Sequence, residues 1–311
     1  MSIDESYCPK LSTLFTPENI EIIEENRNID DITLKLLKNL AVSYGIGNVS
    51  NIFESFCNSQ LHNNPIRISN HTLAFSFRLG TITRVQLAIA VSANGIDTGL
   101  KEKRSDIHVL IVIAAPKNRP DLSLKAEMAV RAVFNNKAIL NSILSCNNKL
   151  CIWRAIADIN ELLPQFIKAG DIMTEALHVL NETNTLFDAV NLFISSKQLH
   201  IPVVDVENEL IGEVNANELM KVCLPRYILW LDDIKPIVNF EPFYNMLEHE
   251  ENTWLTEIMT HDIAMVQYED YAMQAGIAMV KKDVQYAYVL NNRKLVGIIT
   301  MEHFLNKILR K

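Results

Sequence analysis

Apolar positions recur three and four residues apart over Ile29–Leu40, which predicts an amphipathic helix. A second helix is predicted around Val49–Gln60, and Thr16-Pro17-Glu18-Asn19 reads as an earlier helix start with proline in its first turn. Residues 71–77 alternate apolar and polar in the manner of a strand. Val85–Val91 predicts another, followed by a turn at Asn94-Gly95, and the nearly continuous apolar run Ile107–Ala115 suits a central strand buried on both faces. Helical periodicity returns over Leu122–Phe134, Lys137–Ser145 and Cys151–Leu163, where Pro164 stops it. The mixture over residues 1–163 predicts an α/β sandwich with a mixed sheet, preceded by a loose arm at residues 1–10.

The last half of the chain repeats itself. Asp171-Ile172-Met173-Thr174 returns about 86 residues later as Glu257-Ile258-Met259-Thr260. Each is followed by a helical stretch and a β-rich run, Ile201–Asp205 in one copy and Tyr286–Leu290 in the other. A glycine then opens a last strand that turns into a helix: Gly212–Leu219 and Gly297–Phe304. A duplicated unit of this size stacks on its twin to bury a shared face, and the cleft between twins is a natural small-molecule site. The organisation expected is residues 1–163, repeats at 168–223 and 254–311, and an aromatic, proline-punctuated insert at 224–253 that is too apolar for a disordered linker.

Composition narrows the function. Of 311 residues 49% are apolar, enough for sizeable cores, and the net charge of -8 with no large Lys/Arg cluster argues against a nucleic-acid partner. The short run Lys101-Glu102-Lys103-Arg104 reads as a solvated loop tip. The polar start Met1–Glu5 is not a signal peptide, and no apolar stretch reaches the roughly 18–20 residues a membrane span needs. The five cysteines lack zinc-ligand spacing and read as reduced thiols of a cytoplasmic protein. No metal cluster, paired-carboxylate site or Walker-type loop is visible.

The repeat half resembles a pair of CBS domains, a Bateman module of tandem β-α-β-β-α units. The resemblance rests on the Ile-Met-Thr segments, the Ile201-Pro202-Val203-Val204-Asp205 strand, the glycine before each last strand and the strand-to-helix turn after it. It implies that the module senses an adenine nucleotide such as AMP, ADP or ATP, with no cofactor required. The candidate ligand residues are Thr174, His200, Ile201 and Pro202 for one site and Thr260, Tyr286, Ala287 and Tyr288 for the other. At the helix starts, where the family carries Thr for phosphate and Asp for ribose, this chain has Asn215 and Glu218, then Thr300 and His303. Asn215 and Thr300 also read as plain helix caps, and Ile201 and Pro202 as core.

Residues from about 10 to 160 resemble the enzyme IIA domain of the phosphotransferase system, of the fructose and nitrogen-regulatory type. The match runs through Asn70–Leu79, Leu87–Val91, Asn94-Gly95-Ile96-Asp97 and Val109–Pro116. In that register Ser76 stands where the family carries its phosphoacceptor histidine. A serine needs a base and yields a stable ester rather than a transferable phosphoramidate, so the resemblance implies a domain without phosphotransferase activity. His71, five residues upstream, is the alternative acceptor.

The reading that follows is a non-enzymatic regulator, dimeric through the CBS pair. Its degenerate IIA-like domain is a docking or signalling surface, and its client is a membrane transporter or an enzyme. The alternatives are an active phosphocarrier gated by the CBS pair, and a structural dimerisation scaffold with empty clefts.

Overall fold

The computed structural model describes residues 8–24, 28–58, 65–98, 107–175, 178–223 and 253–306. The insert at 224–252, the Lys101–Arg104 run, the arm at 1–7 and the Cys223 side chain lie outside the described residues. The chain forms two compact units, divided between Ile167 and Lys168.

The first unit is built on a five-stranded mixed sheet. Its strands are β1 (Ile20–Ile22), β2 (Ile66–Ser69), β3 (Thr72–Leu79), β4 (Gln86–Val91) and β5 (Val109–Pro116), in the order β1-β4-β5-β3-β2. β5 pairs parallel with β3 and antiparallel with β4, and all eight of its residues are buried. That fits the unbroken apolar run, since a strand covered on both faces has no polar side. Val109, Ile111, Ile113 and Ala115 enter one core, under α3 (Pro120–Phe134), α4 (Lys137–Leu144) and α5 (Lys149–Ala157). Leu110, Val112 and Ala114 enter the other, under α1 (Ile29–Tyr44) and α2 (Val49–Cys57). Successive side chains of one strand thus feed two layers.

Three local readings change. The expected helix at Thr16 is a single 3-10 turn, Pro17–Asn19, followed by β1. The buried Asn19 side chain accepts from Thr16 N and Tyr44 Oη and donates to Ser43 Oγ, tying the turn to the end of α1 and sending the chain into the sheet beside β4. The helix expected to reach Leu163 stops at Ala157, because Asn160 takes a φ of 55° and the next residues bond backbone to backbone with Pro9 and Leu11. Cys146 and Cys151 are joined as a disulfide, which corrects the expectation of reduced thiols for this pair. The tight connection between α4 and α5 brings their Cα atoms to 5.6 Å, inside the bridging range that a search for metal-ligand spacing does not test. Cys8 and Cys57 are free.

The second unit holds two three-stranded sheets of one pattern. β6 (Leu180–Asn181), β7 (His200–Val204) and β8 (Leu210–Asn215) form the first, in that order. β9 (Met265–Gln267), β10 (Tyr286–Asn291) and β11 (Lys294–Thr300) form the second. In each sheet the first pairing is parallel and the second antiparallel. The helices also correspond: α6 (Ala169–Ile172) with α9 (Leu255–Ile258), α7 (Leu186–Ser196) with α10 (Ala272–Lys282), and α8 (Ala216–Cys223) with α11 (Met301–Phe304).

The repeats are interlocked. Thr174, at the start of the first, bridges Ile298 in the last strand of the second, and Thr260 bridges Glu213 in the last strand of the first. Lys168 with Tyr271, and Thr185 with Trp254, make a second reciprocal set. The glycine before each last strand permits the crossing: a Cβ on Gly297 would lie 2.6 Å from both Met173 Sδ and Thr174 O. A Cβ on Gly212 would lie 2.9 Å from Met259 Sδ and Thr260 O.

Candidate functional site

Between the two sheets of the second unit lies one continuous cleft of about 1200 Å³. Nine of the sequence-derived candidates line it: Thr174, His200, Pro202, Asn215, Glu218, Tyr286, Tyr288, Thr300 and His303. Candidates of both expected sites thus line one cavity. Alternation along the strands sorts the rest. His200 and Pro202 face the cleft, while Ile201 between them is fully buried in the core beneath. Tyr286 and Tyr288 face it, and the fully buried Ala287 does not line it. Thr260 does not line it either; its backbone is committed to Glu213.

Both strand-to-helix turns are capped. Asn215 Oδ1 accepts from Glu218 N at 2.9 Å, and Thr300 Oγ1 accepts from His303 N at 3.2 Å. Each cap satisfies one amide of a helix start at the wall of the cavity, so the capping role and the lining role coexist.

Behind the cleft-lining tyrosines lies a residue that sequence reasoning passed over. Glu213 on β8 is only 3% exposed. Tyr286 Oη donates to its Oε1 at 2.7 Å and its Oε2 at 2.9 Å, Tyr288 Oη donates to Oε2 at 2.9 Å, and Asn215 Nδ2 donates to Oε1 at 3.1 Å. Three neutral polar groups thus meet the two oxygens of one buried side chain. Burial first, and then the Glu213 charge, push both tyrosine hydroxyls far above the ordinary phenol range and keep them protonated. The His200 ring lies flat on Tyr286, with centroids 3.7 Å apart and planes 3° from parallel. Burial lowers the His200 pKa, outweighing the opposite pull of Glu213. The signal in the sequence was one acidic residue in an otherwise apolar strand, at a position whose counterpart in the second copy is Ile298.

In the first unit, Ser76 Oγ shares a 2.5 Å hydrogen bond with Ser123 Oγ of α3. His71 stands just before β3, its backbone carbonyl accepting from His108 N and its ring 5.9 Å from that of His108. Five residues of extended chain, roughly 16 Å, separate it from Ser76. Among the described residues no group of three or more His, Cys, Asp or Glu is placed to hold a metal ion, and no helix is long and apolar enough to cross a membrane.

This duplicated, interlocked unit is a tandem of two matching repeats with a cleft lined by both. The family model of the CBS domain matches residues 169–224 and 255–310, so the second unit is a CBS pair. The chain is similar to an uncharacterized protein of Methanocaldococcus jannaschii, 24% identical over 142 residues that cover 42% of this chain and 84% of that protein. It is also similar to a homoserine O-acetyltransferase of Methanococcus vannielii, 25% identical over 151 residues, which are 48% of this chain and only 26% of the enzyme. Among solved structures, CBSX2 in complex with AMP shares 20% identity at a TM-score of 0.35, covering 45% of this chain and 94% of that one.

Proposed function

We propose that this protein is a non-enzymatic regulator whose CBS pair senses an adenine nucleotide or a related adenosine compound. CBS pairs are typically regulatory nucleotide-sensing modules, and the family model matches both repeats. The observation that carries the reading is the single cleft of about 1200 Å³, walled by strand residues from both repeats and reached by both capped helix starts. A ligand there touches both copies, and it shifts their arrangement by its differential affinity for the alternatives. The first unit is then the docking or signalling surface toward a client, a membrane transporter or an enzyme. A mixed sheet with helices on both faces supports its IIA-like reading. The Ser76–Ser123 bond supports a domain that no longer carries phosphate.

The protein acts as a homodimer in this reading. Phe187 and Ile194 on α7 are exposed, and so are Met273 and Val280 at the corresponding positions of α10, with Ile277 between them. Matching apolar stripes on related helices make a self-complementary surface suited to a second copy.

The test is a thermal-shift panel with AMP, ADP, ATP, S-adenosylmethionine, NAD and cyclic di-AMP on the wild type and on Glu218→Ala. Binding to the folded state raises the apparent melting temperature. A rise with an adenine compound that weakens in Glu218→Ala is the expected result. A flat response across the panel overturns the sensor reading.

A further inference from the structure

The first unit carries a reactive group that neither the cleft nor a ligand there involves, the Cys146–Cys151 disulfide. Cys146 follows the last turn of α4 and packs against the core beside it, while Cys151 stands in the first turn of α5. The bridged residues are only five positions apart. A short closed loop removes little freedom from the unfolded chain, so the bridge adds less stability here than one spanning a long loop. Nor do the helices need it to meet. Leu140 and Ile143 of α4 and Ile152 and Ile156 of α5 are already buried in one core. Both cysteines are partly exposed, and their loop neighbours Ser145, Asn147 and Asn148 are exposed, so a thiol in solution has a path to the sulfurs. Exposed disulfides are the labile and regulatory ones.

We propose that this disulfide is a reversible redox switch that sets the order of α5 and of the edge strand β1. The reductant is a dithiol. Its thiolate attacks one cysteine sulfur, the S–S bond breaks, and its electron pair leaves on the other sulfur, which takes up a proton. The second thiol of the reductant then closes its own disulfide and releases the first cysteine as a thiol. The protein gains two electrons and two protons, and the dithiol loses them. The residues beside the bridge tie α5 to the rest of the unit. Asn148 Oδ1 caps α5 by accepting from Cys151 N at 2.8 Å. Lys149 Nζ meets Glu21 Oε1 of β1 at 3.2 Å, and the same carboxylate takes Lys35 and Asn39 of α1. Trp153 Nε1 donates to Phe15 O. Opening the bridge frees the loop that carries Asn148, so the cap and the Lys149–Glu21 contact loosen together.

Peptide-resolved hydrogen exchange on the full chain tests this, with alkylation mapped to Cys146 and Cys151. The protein is oxidised with glutathione disulfide, reduced with dithiothreitol in the absence of denaturant, and oxidised again. Both cysteines are expected to become alkylatable on reduction and protected on reoxidation. Amides of the first turns of α5 are expected to exchange about tenfold faster in the reduced protein, as local opening implies, with a smaller rise over Ile20–Ile22. Cys146→Ser and Cys151→Ser are each expected to exchange like the reduced wild type, whatever the reductant. If either variant does not fold, the wild-type cycle decides by itself. Cysteines that stay alkylatable after glutathione disulfide, or a bridge that opens only in denaturant, overturn the switch. So does reduction that leaves the exchange of α5 unchanged.

Discussion

Tyr288 of the second repeat donates its hydroxyl hydrogen to Glu213 Oε2 of the first at 2.9 Å. The duplication supplies a mirror position for each partner, and there the chain has Pro202 and Ile298, which cannot form such a bond. The interface between the repeats is therefore symmetric in its backbone crossings and asymmetric in its chemistry. One polar tie, reinforced by Tyr286, has no counterpart at the mirror position.

That tie has a measurable worth. Glu213→Gln and Tyr288→Phe are each expected to destabilise the second unit by about 1–3 kcal/mol, since each leaves a buried polar partner incompletely satisfied. In a double-mutant cycle the two changes are expected to couple by about 0.5–3 kcal/mol. Urea denaturation followed by far-UV circular dichroism gives the values, and strict additivity of the two losses contradicts a direct bond.

Gly297→Ala is expected to be more damaging than a typical surface substitution, by about 3 kcal/mol or more. Its new methyl group meets the Thr174 carbonyl, part of the backbone bridge between repeats, as well as a movable methionine. Gly212→Ala carries the same defect at the reciprocal crossing. Hydrogen exchange at the Thr174 and Ile298 amides, which bond reciprocally at 3.0 and 2.8 Å, should accelerate in Gly297→Ala; unchanged protection argues against the crossing.

The titrating groups of the cleft narrow its pH range from both sides. Tyr286 and Tyr288 have pKa values raised above the ordinary phenol value of 10.0. Their contribution is complete below that pH and is lost above it, where the unfolded chain releases protons that the folded one keeps. His200 is shifted the other way, below 6.5. Its contribution is complete above about pH 6.5 and declines on acidification, as the unfolded chain takes up a proton that the folded one refuses. Melting temperatures measured from pH 4 to 11 should fall on both flanks. Tyr286→Phe with Tyr288→Phe should flatten the alkaline flank, and His200→Phe the acid one.

The exposed stripes on α7 and α10 predict an oligomeric state. Ile194 is 73% exposed and Val280 is 75% exposed, at corresponding positions of the two helices. Ile194→Glu with Val280→Glu should convert a dimer to a monomer in sedimentation analysis without lowering the stability of the second unit by more than about 1 kcal/mol, as expected of surface changes. A wild-type protein that already sediments as a monomer removes the proposal.

Much of the architecture was legible because its signals are local. The apolar run Ile107–Ala115 announces a doubly covered strand, and Asn215 and Thr300 announce helix starts, because both depend on side chains within a turn or two of one another. The short strands Ile20–Ile22 and Ile66–Ser69 escaped notice, since three or four residues carry too little periodicity to register and are fixed by the partners they pair with.

By itself, the sequence determined the duplication, the order of elements in each copy, the mixed α/β character of both halves and nine of the residues around the cleft. Only the tertiary structure decided that the copies interlock through reciprocal bridges, that candidates of both expected sites line one cavity and that Cys146 meets Cys151. It also decided that Glu213 ties the two repeats together behind the cleft-lining tyrosines. The physical reason is range. Periodicity and capping act between neighbours along the chain, whereas Glu213 lies 73 and 75 positions from the tyrosines that complete it. It acquires its role only when folding closes that distance to a hydrogen bond.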